Sequence, residues 1–261
     1  MKTLRKYGTA LFNIAVLHGG PGAPGEMAPV ARELSDVGGV IETLQCATTL
    51  DGQVQELKVV LETHGALPVT LVGWSWGAML GFIFTARYPE FVKKLILICS
   101  GVYEEEYALN ITRTRLARLT EVDRAEVLSL MKMMNDPTYE DKNMVLARLG
   151  KLISKADSYD PLPDNSEVIE YQYEAYHNIW SQASELRRSG KLMDLGKKIQ
   201  CPVVALHGDY DPHPYEGVKV PLARVIKDFR FVLLPNCGHQ PWLEKTAQAR
   251  FYDILKSEVE Y

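Results

Sequence analysis

Six short runs rich in valine, isoleucine and leucine recur along the chain, separated by stretches with helical spacing. This alternation limits the fold more than any other feature. The runs are Asn13–Leu17, Val40–Gln45, Val69–Val72, Lys94–Cys99, Pro202–Leu206 and Arg230–Leu234. They are almost continuously apolar, as strands covered on both faces are. Between them, "QVQELKVVLETHG" puts Val54, Leu57 and Leu61 on one helical face and stops at Gly65. "GAMLGFIFTARYPE" is apolar nearly all round until Arg87, the pattern of a helix packed against a sheet. Strand and helix in turn imply parallel strands joined by right-handed crossovers, a mostly parallel, doubly wound α/β sheet.

The alternation breaks over residues 102–196, which hold helical patterns and no convincing strand. Thr120 and Thr138 each read as N-caps, followed by acids and then by Leu and Met at helical spacing. The expected division is therefore a core of residues 1–101 and 197–261, with 102–196 as a helical cap over one sheet edge. "DPLPDN", Asp160–Asn165, is the expected break within that cap.

Composition removes several classes of function. With 261 residues, 46 % of them hydrophobic, and a net charge of −4, the chain reads as a globular protein with a large core. It has no basic run for nucleic acid and no apolar stretch of the ~18–20 residues that span a bilayer. The apolar segment before the first glycines is short, holds Asn13 and lacks a cleavage site, so it reads as a strand and not a signal peptide. Cys46, Cys99, Cys201 and Cys237 are scattered without framework spacing, which suggests reduced thiols and a cytoplasmic location.

The third run ends in "GWSWG", Gly73–Gly77, a G-x-S-x-G string. Chance produces such a string in about 6 % of chains like this one, so its position carries the argument. It follows a buried strand and opens a helix, the sharp elbow that pushes a serine hydroxyl into the open. Ser75 would then need a base, and the base an acid to orient it. Of the six histidines, His239 in "LLPNCGHQPW" follows the last strand, at the carboxyl edge where open α/β sheets build their sites. After the preceding strand, in "VVALHGDYDPH", Asp209 and Asp211 both qualify as the acid. Asp211 lies further along the loop and precedes Pro212, and is preferred.

A second string, "VLHGGPGAPGE" at Val16–Glu26, follows the first run. Its bland reading is a turn leaving a strand. A phosphate cradle is excluded by the lack of G-x-G-x-x-G and of G-x-x-x-x-G-K-[ST].

These stretches together resemble the α/β-hydrolase fold, and within it the prolyl aminopeptidase (proline iminopeptidase) group. "HGGPG" at His18–Gly22, "GWSWG", "ARYPEFVKKLILICSG" at Ala86–Gly101, "HGDYDP" at His207–Pro212 and "GHQPWLEK" at Gly238–Lys245 carry the likeness. It spans about two-thirds of the chain and leaves out the cap. The resemblance implies a lid inserted after the fold's sixth strand. It also implies an oxyanion hole formed by the backbone N–H groups of Trp76 and Gly20, with Gly19 as the alternative second donor. His18 would hold that loop by hydrogen bonds. Two departures stand out: the opening antiparallel hairpin is short or incomplete, and Trp74 occupies a position where the group usually has glycine.

The expected chemistry is acyl transfer by Ser75, His239 and Asp211 on a small-molecule or short-peptide substrate, an amide or an ester. No cofactor is called for and the histidines show no metal-ligand spacing. An aminopeptidase needs carboxylates for the substrate ammonium, and the cap candidates are Glu104, with Glu170 and Glu174 expected one helical turn apart. Charge runs of this kind are more often solvated faces. A carboxylesterase needs only an apolar acyl pocket, for which Leu109, Met131, Met134, Tyr173 and Trp180 are available. A hydrolase-fold receptor with little turnover, and carbon–carbon bond hydrolysis on the same triad, are the alternatives.

Overall fold

The computed structural model describes residues 3–163 and 167–260. Its strands are β1 (Leu4–Tyr7), β2 (Phe12–Leu17), β3 (Gly39–Thr43), β4 (Val69–Trp74), β5 (Val92–Ile98), β6 (Val203–Gly208) and β7 (Phe229–Leu234). They form one sheet in the order β1-β3-β2-β4-β5-β6-β7. β1 runs antiparallel to β3, and every other pairing is parallel. All six expected strands are present. β1 is additional: "LRKY" is too polar to read as a strand, and it is held by pairing with β3, where Arg5 lies opposite Glu42.

The helices are α1 (Ala28–Leu34), α2 (Leu50–His64), α3 (Trp76–Arg87), α4 (Glu105–Ala108), α5 (Ile111–Arg118) and α6 (Glu121–Asn135). They continue with α7 (Lys142–Asp157), α8 (Tyr173–Arg188), α9 (Lys191–Gly196), α10 (Glu216–Val225) and α11 (Gln248–Glu260). Alternate strand residues enter different cores. Leu17, Leu71, Leu95, Leu97 and Ala205 pack with α2, α3 and α10 on one face. Ile14, Val16, Val72, Ile96 and Leu206 pack with α1 and α11 on the other. Covering both faces explains the unbroken apolar runs.

Helices α4–α9 all lie between β5 and β6. Among the described residues the strand before them is the fifth, with β1 preceding β2. α6 and α7 build a small core of their own around Val127, Leu130, Leu146, Leu149 and Leu152. Thr120 caps α6, accepting from the Asp123 N–H at 3.1 Å. Thr138 is not a cap: its N–H and hydroxyl both donate to Asp136 Oδ1, closing a turn, and Asp141 caps α7 instead. The break expected over Asp160–Asn165 is seen only as far as Pro163; Asp164 and Asn165 lie outside the described residues.

Candidate active site

Strand order reverses between β2 and β4, which lie side by side with Leu17 opposite Gly73. Their carboxyl ends open a crevice at this switch point, where open α/β sheets bind ligands. The glycine loop leaves β2 there, and Ser75 leaves β4.

Ser75 has φ 54° and ψ −115°, an uncommon conformation for a residue with a Cβ. The elbow tolerates it because Gly73 and Gly77 let the backbones close up. A Cβ on Gly77 would overlap the carbonyl oxygens of Leu17 and His18. The Ser75 N–H donates to Ile98 O at 3.0 Å, fastening the turn to β5.

Ser75, His239 and Asp211 are brought together. His239 Nδ1–H donates to Asp211 Oδ2 at 2.7 Å, so its Nε2 is left to accept from the Ser75 hydroxyl at 3.0 Å. All three residues are buried. Asp209 lies apart, exposed, accepting from the Cys237 N–H at 3.2 Å.

Asp211 is wrapped by histidines beyond His239. Its Oδ1 accepts from the His213 backbone N–H at 2.9 Å and from His213 Nδ1–H at 2.8 Å. His207 Nε2, which donates to His213 O, lies 3.5 Å from Oδ2. Burial alone would raise the Asp211 pKa, but His239, His213 and His207 outweigh it and hold the carboxyl well below its ordinary range. Burial lowers His213 to about 4 and also lowers His207. His18 is likewise pushed down to about 4 by burial, with its Nδ1–H on Gly19 O at 2.7 Å.

The His239 loop is anchored from two sides. Its N–H donates to Asp157 O at the end of α7 (2.8 Å), and its carbonyl accepts the Trp74 indole N–H at 2.7 Å. Trp74 packs edge-on against Trp242 and over Gly19, where a Cβ would strike the indole. The buried Glu244 side chain accepts from the N–H groups of Gly238 (2.9 Å), Tyr159 and Asp160 (2.8 Å each), joining the loop to the segment after α7.

The glycine string divides its work. Gly20 borders the cavity, and neither its N–H nor that of Gly19 has a partner among the described residues. Trp76 is the first residue of α3, so its N–H has no intrahelical acceptor. Gly22 has φ +85° and lies under the chain of residues 167–172. There Gln172 N–H donates to Gly22 O at 2.8 Å, and Ile169 N–H donates to Pro24 O at 2.9 Å.

Above Ser75 lies a cavity of about 790 Å³. Met79, Val102, Leu116, Met131, Leu149 and Ile153 give it apolar walls reaching into the α6–α7 core. Trp74, Ser75, His213 and His239 border its floor. Of the expected acyl-pocket residues Met131 and Trp180 line it. Leu109 is 72 % exposed, and Met134 is buried within the α6–α7 core, where its carbonyl accepts the Tyr173 hydroxyl. The expected acids are not among the lining residues. Glu104 pairs with Arg224 at 2.5 Å. Glu170 and Glu174 are exposed, and α8 begins only at Tyr173, so no helical turn relates them. The carboxylates that do line the cavity are Glu26, Asp157 and Glu167. Asp157 is held by Arg115 through two hydrogen bonds (2.8 and 2.7 Å), and Glu167 is held by Arg32.

The sequence reading missed His213, Arg115, Asp157 and Glu244. His213 carried a signal, two residues from the chosen acid; the others meet the site only through the fold. Cys99, Asp211 and His239 form the one group among the described residues with metal-ligand proximity. Its Asp and His atoms already belong to the hydrogen-bonded chain, so the donor set suits proton transfer better than coordination. No helix among the described residues is long and apolar enough to cross a membrane.

Comparison with known proteins gives the family and the fold. The family described as alpha/beta hydrolase fold matches residues 47–246. A proline iminopeptidase of Lactobacillus helveticus is 26 % identical, the match covering 89 % of this chain and 85 % of that protein. A pimeloyl-[acyl-carrier protein] methyl ester esterase of Chromobacterium violaceum is 25 % identical over 70 % of this chain and 68 % of its own. Among solved structures, VinJ superposes with a TM-score of 0.68 at 20 % identity, over 98 % of this chain and 94 % of its own.

Proposed function

This chain belongs to the alpha/beta hydrolase fold family, and from that membership we propose that it is a serine hydrolase that cleaves a small carboxylic ester through an acyl-enzyme. The observation that carries the reading is the hydrogen-bonded chain Ser75–His239–Asp211 beneath the cavity. Ser75 Oγ attacks the substrate carbonyl as His239 Nε2 takes its proton, and Asp211 orients the ring and balances the imidazolium. The N–H groups of Trp76 and Gly20, with Gly19 as the alternative, receive the developing oxyanion. His239 then protonates the leaving group, and water resolves the acyl-enzyme. Residues 102–196 serve as the cap over the core of 1–101 and 197–261, and supply the apolar acyl wall.

An ester is favoured over an N-terminal peptide by the charges in the cavity. A substrate ammonium needs an uncommitted carboxylate, and two of the three that line the cavity, Asp157 and Glu167 beside Glu26, are each bound by an arginine. Met131, Leu149 and Ile153 instead suit an apolar acyl chain. Aminopeptidase action remains the second reading, carried by the likeness to the Lactobacillus helveticus protein.

The test compares wild type and Ser75→Ala on p-nitrophenyl esters of two to eight carbons and on prolyl and alanyl coumarin amides, with fluorophosphonate labelling alongside. Ser75-dependent ester cleavage is the expected result. Cleavage of the amides alone would establish the aminopeptidase. Neither labelling nor turnover would make the protein a receptor on a hydrolase fold.

A further inference from the structure

Two imidazoles hang from one carboxylate beneath the cavity. His239 Nδ1–H occupies Asp211 Oδ2 and His213 Nδ1–H occupies Oδ1, at 2.7 and 2.8 Å. Since a carboxylate only accepts, both rings carry their proton on Nδ1, and both present a bare Nε2. The His239 Nε2 faces Ser75. The His213 Nε2 has no partner among the described residues, yet it is not among the buried polar atoms that lack one, and its ring borders the cavity. The ring centres lie 4.8 Å apart, tilted by 32°. Rings this close can share one water, whose oxygen spans about 4.5–5.5 Å between two nitrogens to which it donates.

We propose, resting on the hydrolase reading above, that His213 is a second acceptor for the water that resolves the acyl-enzyme. The water gives one hydrogen to His239 Nε2 as its oxygen bonds to the acyl carbon. Its other hydrogen is held by His213 Nε2 and stays on the oxygen throughout. The tetrahedral intermediate then collapses, the bond from carbon to Ser75 Oγ breaks, and His239 returns the proton to Oγ. The carboxylic acid leaves with the second hydrogen and ionises in solvent. His213 takes no proton, which suits a ring that burial holds neutral near pH 7.

The two hydrogen bonds of His213 are separable by substitution. In His213→Asn the side-chain amide N–H takes the place of Nδ1–H on Asp211, and nothing replaces Nε2. His213→Gln supplies an amide near the Nε2 position and gives up the bond to Asp211. Methanol as competing nucleophile gives a readout that a purely structural role would not move. It has one hydroxyl hydrogen, which goes to His239 and leaves none for His213.

The experiment follows p-nitrophenyl acetate by stopped flow, with product partitioning between acetate and methyl acetate in dilute methanol. In His213→Asn, hydrolysis of the acetyl-enzyme is expected to fall about three- to tenfold, as for one lost neutral hydrogen bond. The burst should stay within about twofold of wild type, and the product ratio should shift toward methyl acetate by the same factor as hydrolysis falls. His213→Gln should keep a ratio near wild type, and it serves as the test if His213→Asn does not fold. An unchanged ratio in His213→Asn, equal losses in both phases, or an Asn-like shift in His213→Gln would overturn the proposal. A wild type without a Ser75-dependent burst would instead overturn the hydrolase reading and the proposal with it.

Discussion

The indole N–H of Trp74 donates to the carbonyl oxygen of His239 at 2.7 Å, tying the residue before Ser75 to the residue that accepts from its hydroxyl. Trp74→Phe keeps a ring over Gly19 and leaves that buried carbonyl unpaired. The expected cost is about 1–3 kcal/mol of stability. A kcat loss of about tenfold with KM nearly constant should accompany it, read by thermal melting and ester kinetics.

Asp211 and Asp209 are two residues apart and differ in what they touch. Asp211→Asn removes the acceptor that fixes the His239 tautomer, and kcat should fall by roughly 10⁴ with the fold intact. Asp209→Asn keeps an amide oxygen that can accept from the Cys237 N–H and should stay within about threefold of wild type. Steady-state kinetics and circular dichroism of both variants decide the assignment.

Glu244→Ala leaves the N–H groups of Gly238, Tyr159 and Asp160 without their acceptor. Three orphaned donors should cost about 3 kcal/mol or more. Denaturant unfolding is the measurement. Glu244→Gln should fall between, since one amide hydrogen would then face the Asp160 N–H.

Acid should weaken the fold in two stages. His18 and His213 have folded pKa values of about 4 against 6.5 unfolded, so between these limits the unfolded chain binds more protons and stability is lost as the pH falls. Each contributes about 3 kcal/mol across that window. Asp211 has a depressed folded pKa, so its contribution persists through this window and is lost only below the ordinary carboxylate range. Melting temperature measured from pH 7 to 3 should decline throughout, and His213→Asn should flatten the slope between pH 6.5 and 4.

The parts of the molecule legible in the sequence are those whose causes are local. Unbroken apolar runs reveal strands covered on both faces, and the string Gly73–Gly77 reveals a strand-to-helix elbow. His239 was reached by its place after β7, and Asp211 by its place after β6. The cap was legible as helix and illegible as chemistry. Glu104, Glu170 and Glu174 drew notice as charges, yet a charge shows its use only through its partner, and Arg224 is 120 residues from Glu104. Arg115 and Asp157 are 42 residues apart, and α7 must dock before they meet. Thr138 misled because the acid before it, Asp136, captured its hydroxyl.

The backbone pairing of Gly22 and Pro24 with Gln172 and Ile169 bears on modularity. Residues 167–172 belong by sequence to the inserted helices, yet by hydrogen bonding they brace the loop that borders Ser75. Exchanging the insertion for a relative's would therefore alter the catalytic floor as well as the substrate walls, unless the new segment brought matching backbone groups to those two sites. A graft that replaces residues 167–172 removes this brace, whereas a shorter one that spares them should trade specificity while leaving turnover in place.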